Sequence, residues 1–177
     1  MIQEETAMDF KELAKERFSV RDFSDRPVED EKIRDILETG LLAPTAKNLQ
    51  PQRVYVLKSE KAVAKARELS KMAFNAPVVL MISARKGDAF VSPFNGMNFA
   101  ETDASIATTH MMLRAAEIGL GTCWVGYFDP KAFAEAFDVP DDEEVLYLMP
   151  LGYAAEGCEP RQSHFDSRTV EDTVREL

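Results

Sequence analysis

Two arginines and a serine stand close together near the start of the chain, in the run Arg17-Phe18-Ser19-Val20-Arg21. A guanidinium group can bind a phosphate through two parallel hydrogen bonds, and a serine hydroxyl can donate one more. The segment therefore indicates a compact binding set for an anion. The alternative is a solvated charged turn, which is the more common use of such a segment.

A second group of polar side chains lies in residues 43–52, between Pro44 and Pro51. The amides of Asn48 and Gln50 carry both hydrogen-bond donors and acceptors, which suits the edge of a heteroaromatic ring. The two prolines stiffen the backbone that would present these amides. An ordinary connecting loop is the alternative, because Asn and Gln are frequent in loops.

These two sets need a framework, and the longest candidate is a central helix. Residues 99–118 contain no Gly or Pro, and their apolar residues cover more than one face, which predicts a buried helix. Gly119 suits its C-terminal cap, and a short extended run follows to Gly126. The glycines there either expose backbone to a flat ligand or serve as simple turn residues. A dinucleotide GxGxxG motif is not favoured, because Trp124 occupies the third glycine position and the run follows a helix.

The overall composition narrows the possible partners. The chain has 177 residues, 45% of them hydrophobic, which predicts one domain over residues 1–177 with a polar tail from about residue 157. Its 21 Lys and Arg against 31 Asp and Glu give a net charge of −10, so nucleic acid and anionic membranes are poor partners. The first ten residues have no basic region and no apolar core, and the longest apolar run, residues 76–82, cannot cross a bilayer. We therefore expect a cytoplasmic protein.

Other familiar kinds of catalytic site are missing from the sequence. Cys123 and Cys158 are too far apart for a CxxC motif, and both are expected to be free, buried thiols. His110 and His164 have no partners at metal-ligand spacing, so His110 is interpreted as a packed histidine of the core or of an interface. We expect no metal site, and neither a Ser/His/Asp set nor a paired-carboxylate motif is present.

The remaining elements alternate irregularly along the chain. Helices are predicted from Asp9 onward, over residues 30–42, after Ser59 and from Pro130; strands are predicted at 53–57, 77–82 and 145–153, with an acidic turn at 140–144. Residues 85–98, with exposed aromatics, are expected to form a loop that could cover a site. The spacing is compatible with α+β as well as α/β folds.

Four segments in this order resemble the FMN-dependent nitroreductase family: RFSVR, APTAKNLQPQR, a long helix running into GLGTCWVGYFD, and LGYAAE before a basic tail. The resemblance covers about residues 17–168. It implies an α+β, three-layer fold with a largely antiparallel central sheet flanked by helices. It also implies an intertwined homodimer, with FMN in two clefts at the subunit interface and the central helix packed against its twin.

The resemblance also implies the roles of individual residues. Arg17 and Ser19 would hold the phosphate and ribityl chain of tightly bound FMN, and Arg21 would reach the pyrimidine side of the ring. Phe18 lies in the same motif where relatives often carry a polar residue, so one polar contact is expected to be missing. Arg168 would pair with the phosphate. The strand end that faces the ring would be Trp124, Val125 and Gly126. A loop of the partner subunit would complete the site with Pro44, Thr45, Ala46, Asn48 and Gln50.

The implied activity is electron transfer from NADH or NADPH through FMN to nitroaromatics, quinones or similar small acceptors, by a ping-pong mechanism. No catalytic side chain is expected, because the cofactor carries the chemistry. At the position of Asp166, members of the family commonly carry another cation. The segment of residues 85–98 is shorter than the corresponding segment of the longer family members. Three alternatives stay open: a specialised member that breaks down flavin or removes halogens, a non-catalytic FMN-binding module, and an acidic structural domain.

Overall fold

The computed structural model describes residues 9–177. The expectation of no leader sequence, drawn from the first ten residues, falls mostly on residues 1–8, which lie outside the described residues. The six helices that it gives are α1 (Phe10–Glu16), α2 (Asp30–Leu41), α3 (Glu60–Leu69), α4 (Ala100–Glu117), α5 (Pro130–Ala136) and α6 (Val170–Thr173). The four strands are β1 (Gln52–Leu57), β2 (Val78–Arg85), β3 (Gly121–Thr122) and β4 (Glu143–Gly152).

The strands form one sheet in the order β1-β2-β4-β3, and every neighbouring pair is antiparallel. Strand β2 lies at its centre, and seven of its eight residues are buried. A strand that is buried on both faces has a nearly continuous apolar sequence, as β2 has. A single parallel bridge between Ser19 and Thr122 attaches the basic segment at the β3 edge.

Two apolar cores lie on opposite faces of the sheet. Because side chains alternate along a strand, Leu80 and Ile82 of β2 join one core and Val79 and Met81 join the other. The first core is covered by α2 and α4, and the second is covered by α3 and α5. This arrangement of helix, sheet and helix confirms the predicted α+β, three-layer fold with a largely antiparallel sheet.

Helix α4 is the longest element, with 18 residues. It ends where the sequence indicates, because Gly119 adopts φ +79°, a left-handed conformation that favours glycine at the end of a helix. Its buried side chains are Ala100, Asp103, Ala104, Ala107, Thr108, Met111 and Ala115. Most of the other residues of α4 are half-buried, because the chain's own elements cover them only in part.

Several details differ from the expectations. The apolar spacing of the first helix predicts an inward-facing Phe10, but this residue of α1 is 68% exposed. Glu143 and Glu144 already belong to β4, although an acidic turn was predicted for them. Cys123 is buried as expected, whereas Cys158 is only half-buried. Across residues 9–177, no helix has the length and apolar character that a membrane crossing requires.

Candidate functional site

The basic segment leaves α1 at Arg17, whose extended backbone (φ −60°, ψ 126°) ends the helix. The chain then runs alongside β3, where the N–H of Val20 donates to the carbonyl oxygen of Thr122 at 2.9 Å. Arg21 turns back, and its Nη1 donates to the carbonyl oxygen of Ser19 at 3.0 Å. The extended backbone and its bonds to β3 therefore fix Arg17, Ser19 and Arg21 in one half-buried stretch.

The thiol of Cys123 shows that several cations gather at this point. Burial raises the pKa of Cys123, while the charge of Arg21, the Ser19 hydroxyl and the charges of Arg161 and Arg17 act in the opposite direction. The charges of three arginines therefore act on this thiol, in a chain whose net charge is −10. Local positive charge against the global field is what binding of an anionic ligand requires.

Arg161 was not among the predicted site residues, although the sequence places it in a polar tail. No local sequence pattern identifies it, because Arg161 is some forty residues from Cys123 in the sequence and acts on it only through the folded tail. Arg168, which was predicted, is exposed, and its neighbour Ser167 lines a cleft together with Arg17 and Phe18. The ring of Phe18 also packs edge-on against His164 of the tail, with centroids 6.5 Å apart.

A cavity of about 240 Å³ lies beside the basic segment. Its walls come from α1, the end of α4 and β3, and they are Leu13, Glu16, Arg17, Phe18, Val20, Ala116, Gly119, Leu120, Gly121, Thr122 and Ala154. Gly121 allows the close approach of Val20, because a Cβ at Gly121 would meet Val20 Cγ2 at 2.5 Å. Gly121 therefore allows β3 to pack closely against the basic segment.

The same extended run continues to Trp124, Val125 and Gly126. The N–H groups of Cys123 and Val125 donate to β4 at Pro150 and Leu148, at 3.3 and 2.8 Å. Because successive N–H groups of an extended chain point to opposite sides, those of Trp124 and Gly126 face away from β4. The indole of Trp124 packs edge-on against Tyr147, with centroids 4.9 Å apart.

The polar loop, residues 44–50, has an unusual backbone. Lys47, Asn48 and Gln50 all adopt positive φ, at 54°, 56° and 50°. Such conformations are costly for residues other than glycine, and they persist only where surrounding contacts impose them. Here the Thr45 hydroxyl accepts a hydrogen bond from the N–H of Gln50 at 3.1 Å, and the Gln50 side chain donates to Asn48 Oδ1 at 3.0 Å.

The basic segment and the polar loop contact opposite ends of α4. The N–H of Ala46 donates to Asp103 in the first turn of the helix, at 3.0 Å, whereas Arg17 lines its cavity with Gly119, just past the last turn. Asp103 and Gly119 are sixteen residues apart, almost all of them in α4, which corresponds to about 24 Å at 1.5 Å per residue. One chain therefore does not bring the two predicted binding sets together.

Residues 86–99 form the predicted loop, with a tight turn in which the N–H of Ser92 donates to Met97 O. Phe94, at its tip, is 96% exposed. The base of the loop reaches the polar loop, since Lys47 Nζ lies 4.6 Å from the centre of the Phe90 ring.

Comparison with known proteins identifies the family. A sequence model of the nitroreductase family matches residues 14–75 and 64–153. The chain belongs to the nitroreductase family. This confirms the resemblance drawn from the four segments, and with it the prediction of an oxidoreductase of the nitroreductase type.

Individual nitroreductase relatives match over nearly the whole chain. A protein of Methanothermobacter thermautotrophicus that carries an NADH dehydrogenase/NAD(P)H nitroreductase name is 30% identical over 156 residues, covering 84% of this chain and 79% of the relative. The structure of a nitroreductase family protein from Clostridium difficile 630 superposes with a TM-score of 0.88 at 36% identity, covering 95% and 98%. An FMN-dependent nitroreductase from Clostridium difficile R20291 gives 0.75 at 28% identity, covering 92% and 96%.

Proposed function

We propose that this nitroreductase is an FMN-dependent NAD(P)H oxidoreductase that works as a homodimer. When bound, FMN supplies the redox chemistry, taking a hydride from NADH or NADPH and then reducing a nitroaromatic, a quinone or a similar small acceptor in a ping-pong sequence. The observation that carries the proposal is the half-buried basic segment with Arg17, Ser19 and Arg21, which is hydrogen-bonded to β3 and lines a cavity at the end of α4.

The basic segment fits the phosphate and the polar chain of FMN. Guanidinium groups bind a phosphate dianion through charge-assisted hydrogen bonds, which are about twice as strong as neutral ones. The Ser19 hydroxyl supplies a further polar contact. Arg161 would add positive charge beside the predicted Arg168; both are exposed residues of the tail, and Ser167, the neighbour of Arg168, lines a cleft with Arg17.

The strand end at residues 124–126 is suited to contact one face and one edge of the flavin ring. Gly126 has no side chain, and nothing lies within 4 Å of the position that a Cβ would take, so a planar group can approach the backbone there. The N–H groups of Trp124 and Gly126 point outward and are placed to donate to a ring nitrogen. Arg21 would supply positive charge where reduction makes the ring system negative, which would be preorganised electrostatic stabilisation.

The polar loop serves the site of a second copy, because it lies about 24 Å along α4 from the basic segment of its own chain. Exposed apolar residues flank both sets: Phe10 on α1 is 68% exposed, and Leu42, directly before the loop, is 80% exposed. Two chains packed along α4 would cover these residues and join the basic segment of one chain to the polar loop of the other.

The decisive experiment is the visible spectrum of the purified protein under anaerobic conditions. The proposal expects a yellow protein whose flavin absorbance bleaches when NADH or NADPH is added and returns when a quinone or nitro compound follows. Tight FMN binding without bleaching by either donor would indicate a non-catalytic flavin module instead. A colourless protein whose Tm does not rise with added FMN would overturn the proposal, because a ligand that binds only the folded state must stabilise it.

A further inference from the structure

Asp103 is a buried carboxylate in the first turn of the central helix, α4, and it is only 1% exposed. Its Oδ1 accepts a hydrogen bond from the N–H of Ala46 at 3.0 Å. Its Oδ2 is also buried, and it has no hydrogen-bond partner within the described part of the chain. Burying a carboxylate is unfavourable unless it is well bonded, although the positive end of the α4 dipole offsets part of the cost.

The loop that Asp103 holds cannot keep its shape by local preference. Lys47, Asn48 and Gln50 are all in left-handed conformations, which residues with a Cβ rarely adopt. Within the loop, Gln50 donates hydrogen bonds to Thr45 Oγ1 and Asn48 Oδ1. The bond from Asp103 fixes that shape relative to the long helix, to which the rest of the fold is packed.

We propose that Asp103 is a positioning residue for the flavin site of the partner subunit. By holding the N–H of Ala46, it keeps Asn48 and Gln50 where they meet the cofactor bound by the second copy. Asp103 does not itself touch the cofactor in this arrangement. The inference rests on the proposed function, and it assigns Asp103 an effect on the partner's site, because the basic segment of its own chain lies about 24 Å away along α4.

A purely structural role is the competing explanation, in which Asp103 stabilises only its own subunit. Thr108 provides the matched control, because it is also fully buried in α4 and its hydroxyl donates to Ala104 O at 2.7 Å, within the same helix. Thr108→Val removes a buried polar bond from α4 without touching the loop. Asp103→Ala removes the acceptor of the loop, and Asp103→Asn keeps an acceptor without the charge.

The first measurement is the FMN dissociation constant of each variant in the dimeric protein. Asp103→Ala is expected to raise it about tenfold, since a hydrogen bond to a charged group is lost, and Asp103→Asn is expected to raise it roughly threefold. Thr108→Val should leave it within about twofold of the wild type while lowering the Tm. Equal FMN affinities for the Asp103 and Thr108 variants would overturn the proposal.

The second measurement uses mixed dimers of Asp103→Ala and Arg17→Ala subunits, purified with two different tags. If the loop serves the partner, one of the two sites joins an intact basic segment to an intact loop, and about half of the sites bind FMN with wild-type affinity. If the loop serves its own chain, each site carries one defect and no site recovers, which would overturn the proposal. The first measurement, with Thr108→Val as the control, is the one that separates positioning from simple stabilisation of the subunit. Should Asp103→Ala fail to fold, Asp103→Asn takes its place in the same mixture.

These outcomes separate the inference from the proposed function. A wild-type protein without FMN or without reduction by NAD(P)H would refute the function before any variant is made. A wild-type protein that binds and reduces FMN, together with Asp103 variants that bind it equally well, would refute the positioning role alone.

Discussion

The N–H of Val20 donates a hydrogen bond of 2.9 Å to the carbonyl oxygen of Thr122. This bond fastens the basic segment to the strand that continues to Trp124 and Gly126. The arginines proposed to bind the phosphate and the strand end proposed to face the ring are thereby held at a fixed spacing within one chain. Side-chain packing at Gly121 supports the same junction.

Gly121→Ala tests this junction. The new Cβ would lie 2.5 Å from Val20 Cγ2 and 2.9 Å from Val20 Cβ, so one segment must move. We expect the free energy of unfolding to fall by about 1–3 kcal/mol, the usual cost of overpacking, and FMN affinity to fall with it. Chemical denaturation and FMN titration measure the two effects. Gly87→Ala is the control, because nothing lies within 4 Å of its new Cβ; equal behaviour of the two variants would show that the junction tolerates a shift.

Arg17→Ala tests the phosphate contact. We expect the FMN dissociation constant to rise roughly 10- to 100-fold, because hydrogen bonds to a charged group are worth about 1.5–3 kcal/mol. Riboflavin, which lacks the phosphate, should bind the variant and the wild type equally well. Arg34→Ala, which removes an exposed arginine of α2, serves as the control. A parallel loss of FMN and riboflavin affinity would mean that Arg17 supports the fold and does not bind the phosphate.

Much of the framework could be predicted from the sequence because its causes are local. The absence of Gly and Pro from residues 99–118 permits a long helix, and Gly119 ends it at φ +79°. The continuous apolar run of β2 reflects burial on both faces. Capping by Asp9 and Ser59 also follows from neighbours two or three residues away.

Trp124 provides an intrinsic reporter, since it is the single tryptophan of the chain. Bound flavin beside it should quench its fluorescence, so a titration with FMN is expected to saturate at one equivalent per subunit. Trp124→Phe should abolish the signal while keeping visible flavin absorbance after dialysis. Unchanged fluorescence in a protein that retains FMN would place the ring away from the 124–126 strand end.

The lowered pKa of Glu29 leads us to expect that the fold loses stability in acid. A hydrogen bond from the Tyr153 hydroxyl, followed by bonds from its own backbone and from Arg26, lowers the pKa of Glu29 from 4.5 to about 2. Since the pKa in the folded state is the lower one, this carboxylate stabilises the fold above about pH 4.5, and the contribution is lost as the pH falls toward about 2. Glu29→Gln and Tyr153→Phe should both flatten the pH dependence of the unfolding free energy in this window. Slopes identical to that of the wild type in acid denaturation would rule out this contribution.

The features that the sequence could not supply depend on residues far apart in the chain. The left-handed backbone of Lys47 and Asn48 is held through Ala46 by Asp103, which lies 57 residues beyond Ala46. An aspartate in a helix is normally exposed, so its burial is visible only once the loop is in place. Arg161 likewise joins the site only because the polar tail folds back to the neighbourhood of Cys123.

The most direct test of the central claim is a crystal structure of the FMN-loaded protein. The account predicts a dimer in which Arg17, Ser19 and Arg21 of one chain and the 44–50 loop of the other contact the same flavin. A flavin enclosed by a single chain, or a monomer in which other residues cover Leu42 and the α4 surface, would contradict it.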